Sequence, residues 1–142
     1  MKFFLDESLN LKVLAPLKAA YGAHSFLHSG SDLPKALDDV DIYPAAAGLG
    51  CAAYVCSDLK QVEHWDRRHE RAGCRAAGLH WIGIRKIPVI GKHKVLASQL
   101  TPLAAALPYI VEEIESATSP QCFILAIGRV ERKVLFERVM DL

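Results

Sequence analysis

Four acidic residues follow short apolar segments of this chain, and their type and position suit the binding of a hard cation. They are Asp6, Glu7, Asp41 and Asp58. In an open α/β sheet the carboxyl ends of the strands converge on one crevice, and ligands bind there. Carboxylates gathered in a crevice repel one another unless a proton or a cation is present, and oxygen ligands favour Mg²⁺ or Mn²⁺. The positions therefore predict metal-assisted phosphodiester chemistry.

In this hypothesis the metal ligands are Asp6, Asp41 and Asp58. Either Glu7 or Asp39 holds a second metal or orients a metal-bound water. A metal in this position would activate a water molecule and orient the scissile phosphate. Two structural alternatives remain open. One acid of the cluster around Asp41 is expected to be only a helix cap, and Glu7 lies where an acid also interacts favourably with a helix dipole.

The elements expected to position these acids alternate between strands and helices. Apolar spacing and stop signals predict strands at residues 2–6, 23–27, 51–56 and 80–84, and helices at 9–21, 39–48, 63–77 and 101–115. Residues 121–127 and 130–136, on either side of Gly128-Arg129, predict a β-hairpin. The alternation favours a mostly parallel sheet with right-handed crossovers.

The size and composition are those of one globular domain. The chain has 142 residues, of which 51% are hydrophobic and 23% charged, so a single domain over residues 1–142 is expected. No stretch reaches the roughly 18 unbroken apolar residues of a membrane helix, and the apolar N-terminal segment is too short for a secretory signal. A cytoplasmic location without membrane contact follows as an expectation. The four cysteines, none in a CxxC motif, are expected to be reduced thiols.

Basic residues gather after the third predicted strand, although the formal net charge is only +1. Four of them are candidates for binding RNA phosphates: Lys60, Arg67, Arg68 and Arg71. The alternative is a solvated helix face, because acids at helical spacing balance these charges. The basic loop 85–94 is a further candidate for substrate contact. Trp65 and Trp81 are expected in the core.

Three acidic motifs resemble, in their order, those of a known family. Leu5-Asp6-Glu7-Ser8-Leu9 resembles the "LDEN" opening of PIN-like nuclease domains, particularly the small VapC-type toxin group. Residues 39–44 are similar to the second acidic motif of that group, and residues 55–60 are similar to the third. Ser8 stands where an asparagine is usual. The fourth acid of the family has no assigned counterpart, and Asp66 matches it by residue type only.

The resemblance implies a three-layer αβα PIN-like domain with a mostly parallel central sheet and a C-terminal β-hairpin. It also implies a metal-dependent endoribonuclease with Mg²⁺ or Mn²⁺ as cofactor, usually the toxin of a type II toxin–antitoxin pair. RNA would then be the substrate and an antitoxin protein the partner. A homodimer is an equally open arrangement.

A binding or signalling module is the competing class. Phosphoreceiver domains also bind Mg²⁺ with an acidic pair after the first strand and an aspartate after a later strand. The corresponding residues here would be Asp6, Glu7 and Asp58. Phosphoreceiver domains need a hydroxyl residue after the fourth strand and a lysine after the fifth, whereas this chain has Arg85-Lys86 and Gly128-Arg129 there. A PIN-like fold that binds RNA or a partner without cutting is the third possibility.

Overall fold

The computed structural model describes residues 1–33 and 37–125, without the side chains of Asp39, Val40 and Val62. Within these ranges the chain alternates between five strands and five helices, and two short 3₁₀ turns, Leu11–Val13 and Trp65–Arg67, precede α1 and α4. The strands are β1 Lys2–Leu5, β2 Ser25–His28, β3 Ala53–Cys56, β4 His80–Ile84 and β5 Cys122–Leu125. The helices are α1 Leu14–Ala20, α2 Asp39–Gly48, α3 Lys60–Glu63, α4 Arg68–Ala76 and α5 Lys92–Ser116.

The five strands form one sheet in the order β2-β1-β3-β4-β5, and every neighbouring pair is parallel. The predicted α/β class with a parallel sheet is therefore confirmed. The predicted C-terminal hairpin is not shown. Its first strand corresponds to β5, which continues the parallel sheet beside β4, and its second strand, residues 130–136, lies outside the described residues.

Helices cover the sheet in two layers, which is compatible with a three-layer αβα arrangement. Successive side chains of a strand point to opposite faces, and β1 shows this clearly. Phe3 and Leu5 pack on one side with residues of α1 and α5, such as Leu17 and Leu107. Phe4 packs on the other side with residues of α2 and α4. Each layer therefore has its own apolar core.

The last crossover has the opposite hand to the first three. Helix α1 carries the chain from β1 to β2 within one layer, while α2 and α4 carry it in the reverse direction within the other layer. These three connections share one hand. Helix α5 carries the chain in the same direction as α4 but lies in the layer of α1. Since crossovers are almost always right-handed, the last one departs from the prediction, and Cys122 and Ile124 of β5 are exposed.

The charged helix predicted over residues 63–77 is interrupted. His64 has an extended backbone, with φ −83° and ψ 133°, and separates α3 from the 3₁₀ turn that leads into α4. This interruption moves Trp65 off the core, and 73% of its surface is exposed. The prediction that Trp65 is a core residue is therefore wrong, whereas Trp81 is buried as predicted.

Two helices that contain prolines begin at other residues than predicted. Helix α1 begins at Leu14, so Pro16 falls in its first turn, where the missing N–H needs no acceptor. Helix α5 begins at Lys92, nine residues before the predicted start at Thr101, and it contains two prolines. By length and composition alone α5 could cross a membrane. This is weak support for a span, because α5 residues such as Leu107 pack against the sheet.

Candidate functional site

A cavity of about 660 Å³ opens at the carboxyl edge of the sheet, where the loops after β1 and β3 leave it. The chain moves from β1 to one neighbour and later to the other, so this is the point where the strand order reverses and where α/β sheets bind ligands. We name it the acidic cavity. The polar residues that line it include Asp6, Glu7, Ser8, His28, Asp58 and Lys86.

Asp6 is held in place by neutral donors. Its carboxylate is almost buried, with 6% of the residue surface exposed. Oδ1 accepts a hydrogen bond from the Tyr54 hydroxyl at 2.7 Å, and Oδ2 accepts one from the Ser8 amide at 2.9 Å. Burial raises the pKa of Tyr54, and the negative charge and hydrogen bond of Asp6 raise it further. Within the described part of the chain no basic side chain forms a salt bridge with Asp6.

Asp58, in contrast, has a basic partner. Its Oδ2 pairs with Nη1 of Arg67 at 2.8 Å, and its Oδ1 accepts a hydrogen bond from the Lys60 amide at 3.2 Å at the start of α3. Arg67 also bonds through Nε to the buried carboxylate of Glu70. Burial alone would lower the pKa of Arg67, but the bonds to Glu70 and Asp58 raise it overall. Arg67, predicted to bind substrate, pairs with two acids of its own chain.

The remaining walls of the cavity supply one acid and one base. Glu7 is exposed and follows Asp6 directly, and Lys86 comes from the loop after β4. The imidazole of His28 is not available as a ligand, because Nε2 lies 3.0 Å from the Leu9 carbonyl and Nδ1 contacts the Ser29 carbonyl. Lys86 belongs to the basic loop 85–94, which was predicted as a candidate for substrate contact, and it lines the acidic cavity.

Several predicted site residues lie elsewhere. Asp41 is exposed in the first turn of α2 and is not among the described residues that line the acidic cavity. The side chain of Asp39 lies outside the described part of the structure. Asp66 is at the surface beside His64, and the bond to His64 lowers the pKa of Asp66. The last two candidates for phosphate binding, Arg68 and Arg71, line a different groove.

The donors of the acidic cavity fit a partly hydrated divalent cation. Across residues 1–33 and 37–125, no three His, Cys, Asp or Glu side chains converge closely enough to enclose a metal ion. Mg²⁺, however, commonly keeps several waters and is bound through only one or two carboxylates. The described bonds leave each oxygen of Asp6 with an unused lone pair, because a carboxylate oxygen can accept two hydrogen bonds. Asp6, Glu7 and Asp58 are the residues that would hold such a cation.

No protein-family model, curated protein or solved structure matches this chain. The resemblance to PIN-like domains therefore stays a prediction from the acidic motifs of the sequence.

Proposed function

We propose that this chain is a PIN-like, metal-dependent endoribonuclease that hydrolyses RNA in the acidic cavity with Mg²⁺ or Mn²⁺. The observation that carries the proposal is the state of Asp6. Its carboxylate is nearly buried, receives only neutral hydrogen bonds in the described structure, and lines an open cavity at the carboxyl edge of the sheet. A buried charge without a counter-charge is costly. A bound divalent cation would offset that cost.

The residues of the cavity have separate tasks in this proposal. When bound, the metal supplies an activated water and stabilises charge on the phosphate. The Tyr54 hydroxyl and the Ser8 amide keep the Asp6 carboxylate in a fixed orientation, which is the preorganisation that such sites need. Arg67 orients Asp58 in the same way. Glu7 would help to hold the cation or orient a metal-bound water, and Lys86 would contact a phosphate.

RNA cleavage tests the proposal. Labelled structured RNAs are incubated with the purified chain, with and without Mn²⁺ or Mg²⁺, beside Asp6→Asn and the surface control Glu112→Gln. We expect metal-dependent cleavage that Asp6→Asn abolishes and Glu112→Gln retains. Undiminished cleavage by Asp6→Asn would overturn the proposal. Asp41→Asn is included in the same assay. Loss of cleavage would add Asp41 to the proposed metal ligands, and retained cleavage would restrict the ligands to the acids that line the cavity.

A receiver-like signalling module is the second candidate, and two observations favour it. The acids that share the cavity, Asp6, Glu7 and Asp58, are those that a receiver uses, and Asp41 is not among the described lining residues. The sheet order is also that of receiver and flavodoxin folds. The layer of α5 and the pairing of Asp58 with Arg67 fit this candidate less well. Incorporation of phosphate at Asp58 from a small acyl phosphate, without RNA cleavage, would select the receiver.

The biological context is proposed from the resemblance. The chain would act in the cytoplasm as a toxin, and an antitoxin protein would inhibit it. Growth arrest on expression, relieved by co-expression of a neighbouring gene, tests this part. Light scattering on the purified chain tests the homodimer.

A further inference from the structure

A second pocket opens at the carboxyl edge of the sheet, beside the acidic cavity, and has a volume of about 270 Å³. The loop after β4 and the beginning of α5 form much of its wall. We name it the serine pocket, because Ser8, Ser57 and Ser98 all line it. Ser8 and Lys86 line the acidic cavity as well, so the two sites share a boundary. No Asp or Glu is among the described residues that line the serine pocket.

The shared boundary carries one hydroxyl donor and one positive charge. Oγ of Ser8 accepts a hydrogen bond from the Ser57 amide at 3.0 Å, and within the described part of the chain the Ser8 hydroxyl donates none. A serine hydroxyl can do both. Lys86 forms no salt bridge with any described residue. An O–H group and an ammonium group are therefore both free to bind the oxygens of a phosphate where the two sites meet.

Buried polar side chains hold Ser8 in this position. Nε2 of Gln99 donates to the Ser8 carbonyl at 3.2 Å, and Oε1 of Gln99 accepts from the Asn10 amide at 2.9 Å. The Ser57 hydroxyl donates to the same Ser8 carbonyl at 3.0 Å. Gln99 and Ser57 are 9% and 2% exposed, and such buried groups need hydrogen-bond partners. The loop after β1 supplies them, so Ser8 is fixed at the boundary before a ligand binds.

The α5 side of the serine pocket offers an acceptor. The hydroxyl of Ser98, a half-buried residue, donates to the Val95 carbonyl at 2.7 Å, so its oxygen is left to accept further hydrogen bonds. A ligand that reaches Ser98 must therefore bring a donor. Ribose hydroxyls are donors, and the 2′-hydroxyl is the group by which a protein distinguishes RNA from DNA.

We propose that the serine pocket binds one ribonucleotide of the substrate, with its phosphate at Ser8 and Lys86 and its ribose against Ser98. The proposal deepens the proposed function and rests on it in one respect, since the bound phosphate would be the scissile one. Ser8 supports this placement, because its amide donates to Asp6 at 2.9 Å while its side chain faces the boundary of the two sites. The ammonium of Lys86 favours an anion, and the acceptor at Ser98 favours a ribonucleotide over a deoxyribonucleotide.

Titration with uridine 3′-monophosphate in EDTA, followed by the amide chemical shifts of the isotope-labelled chain, tests the proposal without any cleavage. We expect saturable shifts at Ser8, Lys86 and Ser98. Ser98→Leu fills the pocket, and the control Ala97→Leu enlarges the neighbouring exposed residue, which is not among the described lining residues. The affinity should fall by about tenfold or more in Ser98→Leu and by about twofold or less in Ala97→Leu. Equal affinities of these two variants would overturn the proposal.

Two comparisons test the groups of the ligand separately, and thermal melts establish that each variant is folded. The 2′-deoxy analogue should bind the wild type about fivefold more weakly, as for one lost hydrogen bond, and Ser98→Ala should bind both nucleotides equally. Lys86→Gln should lose about tenfold in affinity, and Lys18→Gln, on the exposed side of α1, about twofold or less. Equal binding of both nucleotides by the wild type would overturn the ribose contact, and equal affinities of the two lysine variants would overturn the phosphate contact.

The titration contains no metal, so its result is separate from that of the cleavage assay. Absent nucleotide binding beside metal-dependent cleavage would overturn the serine pocket and leave the nuclease. Nucleotide binding by a chain that cleaves no RNA would support the pocket and overturn the nuclease.

Discussion

Asp6 and Asp58 follow neighbouring strands and line the same cavity, yet their surroundings differ. Asp6 is held by a tyrosine hydroxyl and a backbone amide, both neutral. Asp58 is held by Arg67, which compensates its charge. The pair teaches that proximity alone does not define the role of an acid. The carboxylate without a basic partner in the described structure, Asp6, is the one assigned as the main cation ligand.

Catalysis should show the largest difference between the two acids. We expect Asp6→Asn to lower kcat/KM for RNA cleavage by about a thousandfold, because several kcal/mol of charge stabilisation by the metal would be lost. Asp58→Asn should cost about ten- to a hundredfold, since Asp58 already has a counter-charge. Steady-state cleavage at a Mn²⁺ concentration that saturates the wild type measures both values. Equal losses would break the distinction drawn between the two acids.

Stability should depend strongly on the partner of Asp58. Arg67→Met leaves the carboxylates of Asp58 and Glu70 without this guanidinium, and we expect a loss of about 3 kcal/mol in the free energy of unfolding. The matched control is Arg85→Met, because Arg85 pairs with Glu63 at the exposed surface. That pair should contribute about 1 kcal/mol or less. Urea denaturation measures both, and similar losses would show that the Arg67 pairs behave like surface pairs.

The hydrogen bond from Tyr54 to Asp6 should contribute less to the free energy of unfolding than the ion pairs of Arg67 do. Tyr54→Phe removes one donor from the Asp6 carboxylate, and we expect a loss of about 2 kcal/mol, as for a hydrogen bond to a charged group. Tyr43→Phe is the control, because the Tyr43 hydroxyl is buried and reaches the neutral Gln61 at 3.4 Å. Its loss should be about 1 kcal/mol or less. If both variants lost the same stability in urea, the Tyr54 hydroxyl would have no special role at Asp6.

The smallest expected effect is a loss of stability at low pH that comes from His80, which is neither Asp6 nor Asp58. Burial lowers the pKa of His80, whose Nδ1 accepts a hydrogen bond from the Gln121 amide at the beginning of β5. The unfolded chain then binds a proton at a higher pH than the folded chain does, so stability is fully present above about pH 6.5 and falls as the pH is lowered. His80→Asn should flatten this part of the stability profile. An unchanged slope would assign the acid sensitivity to other groups.

The parallel sheet was predictable, because each buried strand is an apolar run and the runs alternate with helical patterns. Asp6 and Asp58 were predictable for the same local reason, since each comes at or just after the end of such a run. The bond between Tyr54 and Asp6 was not, because it depends on the register of two strands about fifty residues apart. Likewise, the face of the sheet that α5 covers is decided by tertiary packing, and no local sequence pattern encodes it.

Local signals also misled at two places. Thr101-Pro102 has the form of a helix start, but the helix continues through it from Lys92, since packing of the apolar face outweighs the cost of the proline. The apparent helical spacing around Trp65 predicted one continuous helix, and the extended backbone at His64 interrupts it. The exposure of Trp65 followed from that break.

Direct binding of Mn²⁺ tests the central claim most closely. The free Mn²⁺ signal in electron paramagnetic resonance is followed while the wild-type chain, Asp6→Asn or Glu112→Gln is added, and thermal melts establish that each is folded. We expect saturable binding by the wild type and Glu112→Gln that is lost in Asp6→Asn. Binding of equal affinity by Asp6→Asn would contradict the assignment of Asp6 as the cation ligand, and with it the proposed nuclease site.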